Sequence, residues 1–175
     1  GISSRGQRIY GNGNLTAQTS KVWSGRYSGM FSADANTHWL FNTYQNSSFV
    51  FEANVITNIS TSENFYLQVG NASTASVNTN SNALLLGYTT SNIWYYTTSW
   101  VDSGQAISSN VWYKVKLYVN STPNFAKFVV QGSGLDWNVV PSTHPTITGI
   151  NLGPYFIVKN SLTYYIDNIF VRKYT

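Results

Sequence analysis

Between Val111 and Val119 the chain alternates without a break, with Val111, Tyr113, Val115, Leu117 and Val119 on one side and Trp112, Lys114, Lys116 and Tyr118 on the other. Successive side chains of a strand point to opposite faces, so this period of two fits a half-buried antiparallel strand with its lysines in water. Phe49, Phe51, Ala53 and Val55 form a second such face, opposed by Val50, Glu52, Asn54 and Ile56. Further strands are expected over residues 27–33, 38–44, 65–69, 83–88, 93–98, 125–131, 154–159 and 164–172. Turn-forming clusters separate them at residues 71–73 and 78–82, at Asp102-Ser103-Gly104, at Gly132-Ser133-Gly134 and at residues 141–145. No window combines apolar spacings of three and four with a capping residue, so almost no helix is expected. Ten or so short strands rich in aromatic and β-branched residues make a sandwich or a barrel. The reading taken here is all-β, a jelly-roll β-sandwich of two antiparallel sheets, with Phe49, Phe51, Tyr113, Val115 and Leu117 facing inward.

A chain of 175 residues suits one domain, which buries about 70% of the surface its unfolded form exposes. Residues 1–8 offer no alternating face and only Ile2 as a large apolar side chain, so they read as an arm ahead of a single domain over 9–175. A hydrophobic fraction of 42% gives ample apolar surface to offset the entropy of ordering, which excludes intrinsic disorder. The net charge of +4 comes from a shortage of acids, and the bases are scattered, whereas nucleic-acid binders gather them on one face. The absence of cysteine removes disulfides, thiolate metal sites and iron–sulfur clusters. No apolar run approaches the length of a spanning helix, so no membrane insertion is expected. Position 1 is Gly rather than Met, and no basic-then-apolar leader follows, which suggests the mature form of an extracellular protein on a cell or virion surface.

Three segments carry a resemblance. Trp23-Ser24-Gly25-Arg26-Tyr27-Ser28-Gly29-Met30-Phe31-Ser32, the strand Trp112-Tyr113-Lys114-Val115-Lys116-Leu117-Tyr118-Val119-Asn120 and the ending Tyr164-Tyr165-Ile166-Asp167-Asn168-Ile169-Phe170-Val171 resemble landmarks of concanavalin A-like and laminin G-like jelly rolls. The last also resembles the closing strand of jelly-roll carbohydrate-binding modules. The resemblance runs from Ile9 to Tyr174 and implies a fold more than an activity. Stretches resembling Ile9-Tyr10-Gly11-Asn12 and Val171-Arg172-Lys173-Tyr174 bracket such domains in archaeal surface proteins, which implies a surface role. In the modules it resembles, an Asp at the place of Asp167 ligates a structural calcium. The resemblance therefore implies a calcium site there, with Asp34 and carbonyls near residues 11–14 as candidate partners and five or more further oxygens needed. The plainer expectation is that Asp167 and Asn168 hydrogen-bond at a strand kink and no cofactor is held.

Relatives of this fold include endoglucanases with a Glu-x-Asp-x-x-Glu strand, and no such spacing exists here. The only glutamates are Glu52 and Glu63. A hairpin of residues 49–56 with 65–69 puts Glu52 near Gln68 and Glu63 at the tip, about 17 Å away along the strand, against about 5 to 9.5 Å for paired glycosidase carboxylates. His38 and His144 lack a second ligand-type residue at metal-binding spacing, and no Gly-x-Ser-x-Gly elbow appears. No catalytic residue is assigned and no enzyme activity is expected.

Aromatic residues are the strongest functional hint, because sugar rings stack their C–H faces on Trp and Tyr while Asn, Gln and Asp bind the hydroxyls. Trp94 and Tyr96 lie on a strand with aromatics on both faces, and Trp100 and Trp137 stand beside turn residues. These four are the candidate glycan-binding residues, against the competing reading that aromatics simply fill the core. Five Asn-x-Ser/Thr triplets, at Asn14, Asn46, Asn58, Asn71 and Asn120, are candidate glycosylation sites, most of them at expected turns. Their number is close to chance for so Asn-, Ser- and Thr-rich a chain. The leading functional expectation is a subunit of an extracellular filament with a lectin-like fold, binding glycans and copies of itself head to tail. Ile2 and Arg5 of the arm are its candidate subunit contacts, since an arm can add to a neighbour's sheet edge. The alternative is a solitary glycan-binding module or adhesin, and a glycoside hydrolase comes third.

Overall fold

The computed structural model describes residues 9–10, 15–32, 37–41, 48–57, 65–71, 84–89, 92–121, 123–144, 152–158 and 163–173. Among them are fourteen strands and no helix: β1 (Ile9–Tyr10), β2 (Leu15–Gln18), β3 (Ser28–Ser32), β4 (Thr37–Phe41), β5 (Phe49–Thr57), β6 (Phe65–Asn71), β7 (Leu84–Thr89), β8 (Asn92–Tyr96), β9 (Trp100–Ala106), β10 (Trp112–Ser121), β11 (Asn124–Gly132), β12 (Leu135–Val139), β13 (Leu152–Val158) and β14 (Thr163–Lys173). They form two seven-stranded sheets. Sheet I has the order β12-β11-β10-β5-β14-β3-β2 and sheet II the order β1-β4-β13-β6-β7-β8-β9, with antiparallel pairing throughout.

Alternation sets the inner face of sheet I as the sequence implies. Phe49, Phe51, Ala53 and Val55 of β5 stand opposite Val119, Leu117, Val115 and Tyr113 of β10, and β11 extends the rows with Ala126, Phe128 and Val130. All are buried and join Leu84, Leu86 and Ile93 of sheet II and Ile166 of β14 in one core. Because Phe51, Leu117 and Phe128 form one continuous cross-strand row, Leu117 is held on both sides by a large apolar neighbour. Tyr113 is buried with its hydroxyl satisfied, accepting the Ser108 N–H at 3.0 Å. The β11–β12 turn is the tight hairpin expected at Gly132-Ser133-Gly134. Ser133 and Gly134 both have positive φ (50° and 81°), which gives the two-residue turn the twist flanking strands require.

Several expectations are corrected. Residues 49–56 and 65–69 are not a hairpin, since β5 lies in sheet I and β6 in sheet II. The strand-distance argument about Glu52 and Glu63 therefore does not apply, and Glu63 lies outside the described residues. Asp102-Ser103-Gly104 is not a turn between strands but part of β9, where the register with β8 slips between Asn92 and Trp94. Gly104 takes a φ of +68° there and its N–H is capped by Asp102 Oδ1 at 2.8 Å, so a turn signature produces an irregularity inside one strand. The outer face of β5 is not solvent-facing: Val50, Asn54 and Ile56 are buried. Lys114 and Lys116 are not free in water either. They share Glu52, at 3.4 Å and 3.8 Å, and the Lys116 side chain is only 19% exposed.

Candidate functional site

Something must cover the outer face of sheet I, and residues 19–27, between β2 and β3, do so as a strap. One row of that face runs Trp112, Ile56, Tyr165, Met30 across β10, β5, β14 and β3. Trp23 sets its ring edge-on to Trp112, 6.1 Å between centroids at 66°, a favoured aromatic geometry. Lys21 passes over Tyr165, its Nζ 5.6 Å from the ring centroid, and donates to Asn110 Oδ1 at 2.7 Å.

Two polar hubs pin the strap. At its start, Gln18 Oε1 accepts from Ser20 N, Ser20 Oγ and Lys21 N at 2.6, 2.5 and 3.0 Å. Gln18 Nε2 donates to the Lys21 carbonyl at 2.5 Å and to Ser28 Oγ, and the buried Ser28 hydroxyl donates in turn to the Lys21 carbonyl at 2.5 Å. At its middle, Asp167 Oδ2 accepts the N–H groups of Trp23 and Ser24 at 3.0 and 3.1 Å, while its Oδ1 accepts the Asn168 N–H at 2.7 Å. The Ser24 hydroxyl donates to Asn168 Oδ1 at 3.1 Å. A bulge makes this possible: β14 slips against β5 between Asp167 and Phe170, and Asn168 adopts a left-handed φ of 48° that Asn tolerates better than most residues. Hydrogen bonds from backbone N–H groups to an ionised carboxylate are among the stronger kinds.

On this pinned backbone two large side chains remain open to solvent, Trp23 at 47% and Tyr27 at 52%. Arg26 lies over the Tyr27 ring, its Cζ 5.2 Å from the centroid. Neither Trp23 nor Tyr27 is among the sequence candidates. The signal was present in the segment that carries the resemblance, but nothing local says which aromatics of that segment stay outside. The contacts that decide it join residues more than 140 positions apart.

The four expected glycan-binding residues do not form one platform. Trp94, Tyr96 and Trp100 share the outer face of sheet II, since Ile93, Tyr95 and Val101 take the inner one. Trp100 meets Tyr96 edge-on at 5.3 Å and 62°, and Asn92 Nδ2 donates to both oxygens of Asp102 beside them, at 3.2 and 3.1 Å. Trp94 and Trp100 are half-buried and Tyr96 is buried. Trp137 belongs elsewhere, on the inner face of β12, packed against the core with its ring 6.0 Å from Tyr95.

Asp167 has both carboxylate oxygens engaged by N–H groups, and no group of three or more His, Cys, Asp or Glu gathers among the described residues. A cation needs oxygen donors around it, and the described surroundings of Asp167 do not fit one; Asp34 and residues 11–14 lie outside the description. The other described carboxylates are also occupied: Glu52 by two lysines, Asp102 by Asn92 and Gly104, Asp136 by Gln131. Asn120, in β10 rather than at a turn, accepts the Ser48 hydroxyl. Asn71 ends β6, opposite Leu152. Asn14, Asn46, Asn58, Ile2 and Arg5 lie outside the described residues.

No protein-family model matches the sequence, and no curated protein matches it either. The fold does have relatives among solved structures. Metal-free lectin I-B4 from Griffonia simplicifolia superposes with a TM-score of 0.65 at 10% identity, covering 98% of this chain and 94% of that one. Arcelin-5, a lectin-like defence protein from Phaseolus vulgaris, gives 0.63 at 8% identity over 97% and 93%. The carbohydrate-binding module CBM66 from Bacillus subtilis gives 0.58 at 10% identity over 94% and 95%. The chain thus has the concanavalin A-like jelly-roll fold. These neighbours come from plants and a bacterium and add nothing to the archaeal association.

Proposed function

We propose that the chain is a glycan-binding protein whose principal recognition surface is the strap over sheet I. The observation that carries this reading is the exposure of Trp23 and Tyr27 on a backbone held by Gln18 and Asp167. An apolar ring kept in water on a fixed loop costs little further ordering when a ligand stacks on it. The lectin-like fold supports the same reading. Trp94 and Trp100 on the outer face of sheet II form the secondary candidate surface. Catalysis is not part of the reading, because each described carboxylate already serves a structural partner. Titration of the full chain against a panel of neutral and charged oligosaccharides tests it: Trp23→Ala should abolish binding and Trp94→Ala should leave most of it. Binding lost only with Trp94→Ala moves the site to sheet II, and the absence of saccharide binding ends the proposal.

A second role, extracellular assembly into a filament, draws on the open sheet ends. β12 and β2 terminate sheet I, and β1 and β9 terminate sheet II. Such edges present backbone donors and acceptors to another strand. The arm of residues 1–8 would be the added strand, with Ile2 and Arg5 as contacts. Electron microscopy of the full chain and of one lacking residues 1–8 tests it: fibres only from the former support assembly, and a full-length monomer at high concentration refutes it.

A further inference from the structure

We infer that the strap surface selects acidic saccharides, those bearing carboxylate or sulfate, over neutral ones. This rests on the glycan-binding reading and adds the ligand's charge. Lys21 and Arg26 make no ion pair with any acid among the described residues. Asp167, the described acid that holds the strap, has its oxygens filled by three N–H groups and keeps its negative charge, so it offsets one of the nearby cations without ion-pairing either strap base. On the same outer face, two residues along β10 from Trp112, Lys114 is 37% exposed and shares the single carboxylate of Glu52 with Lys116. Two ammonium groups on one carboxylate leave an excess positive charge beside the Trp23–Trp112 pair. Among the described residues the surface therefore sets exposed rings beside more cations than acids, with the Arg26 guanidinium over Tyr27 and in no ion pair there, a group suited to a carboxylate or sulfate. The sheet II face differs: the described charge beside Trp94 is Asp102, with no described base there.

The experiment compares ligands that differ in charge alone. An oligogalacturonate is titrated into the full chain beside its carboxyl-reduced form, and a sulfated galactan oligosaccharide beside its desulfated form. The expected result is about tenfold tighter binding of the charged member, the fold-change of one charge-assisted hydrogen bond, weakening as salt rises. Arg26→Gln should bring the affinity for the charged member down to that for its neutral counterpart, with the far-ultraviolet circular dichroism unchanged. Equal affinity for the charged and neutral members, or an undiminished preference in Arg26→Gln, overturns the inference and leaves glycan binding intact. Equal binding of a single-stranded oligonucleotide overturns it as well, since the surface would then answer to any polyanion. If no saccharide binds at all, the parent reading fails together with it.

Discussion

The two outer faces of the sandwich carry similar aromatic side chains and treat them differently. On sheet I, Trp112 and Tyr165 lie under a strap that adds Trp23 and Tyr27 above them. On sheet II, Trp100 leans edge-on against Tyr96, which is only 7% exposed, and Trp94 is half-buried on the same face. The buried Trp94 indole N–H has no hydrogen-bond partner among the described residues. Aromatic content is thus a poor guide to a binding face by itself. What separates the two is the polar scaffolding: Gln18, Ser28, Asp167 and Asn168 spend their hydrogen bonds on holding a loop, whereas Asn92 and Asp102 spend theirs on each other and on Gly104 within the same two strands.

The largest expected effect removes the ground common to both faces. Phe51→Ala, at a fully buried position in the central row, should lower stability by about 3–5 kcal/mol, measured by urea unfolding, and should weaken the two faces together. Next, Asp167→Ala should separate them. Loss of an acceptor for three N–H groups costs about 1–3 kcal/mol, and hydrogen exchange at Trp23 and Ser24 should accelerate while the amides of β8 and β9 keep their rates. Equal acceleration at both faces would show that the strap is not a local unit. Gly132→Ala sharpens the comparison from beneath: a Cβ there would meet the Trp112 carbonyl oxygen at 2.6 Å with φ at +145°. It should cost about 1–3 kcal/mol and perturb Trp112 fluorescence with no change in ligand-independent exchange at β8. Smallest is Glu52→Gln, which leaves two partly exposed lysines without their acid. The stability change should be about 1 kcal/mol, between the values for exposed and buried ion pairs because the Glu52 and Lys116 side chains are only 16% and 19% exposed, while affinity for an acidic saccharide rises.

The inner half of the molecule is legible in the sequence for a plain reason. Alternation in residues 49–55 and 111–119 has one buried solution, because a one-residue slip would put Lys114 and Lys116 in the core and Val115 outside. The outer half is less legible. Ile56 and Asn54 read as solvent-facing because nothing within their own strand announces a strap contributed by residues 19–27. Trp137 reads as exposed because it neighbours a turn, yet β12 continues the alternation of β11 and turns Trp137 inward opposite Val130. Asp102-Ser103-Gly104 has turn chemistry, and that chemistry produced a bulge, since the chain on both sides of it could still pair with β8. At Asp167 the local reading, a hydrogen-bonded kink, matches the bulge. The two strap amides it also holds are contributed by residues too distant in the sequence to be foreseen.

The Asp167 clamp also fixes an order of events. β14 is the final strand of sheet I, inserted between β5 and β3, and its carboxylate closes a loop of more than 140 residues when it takes the Trp23 and Ser24 amides. Contacts of such long range form late in folding. During synthesis the strap emerges early and waits for more than 140 further residues before it can be fastened. A chain truncated ahead of β14 would leave β2 and β3 undocked and Trp23 unanchored, so the strap takes its shape only after β14 has joined the sheet. That strand thus acts as the latch of a loop made long before it.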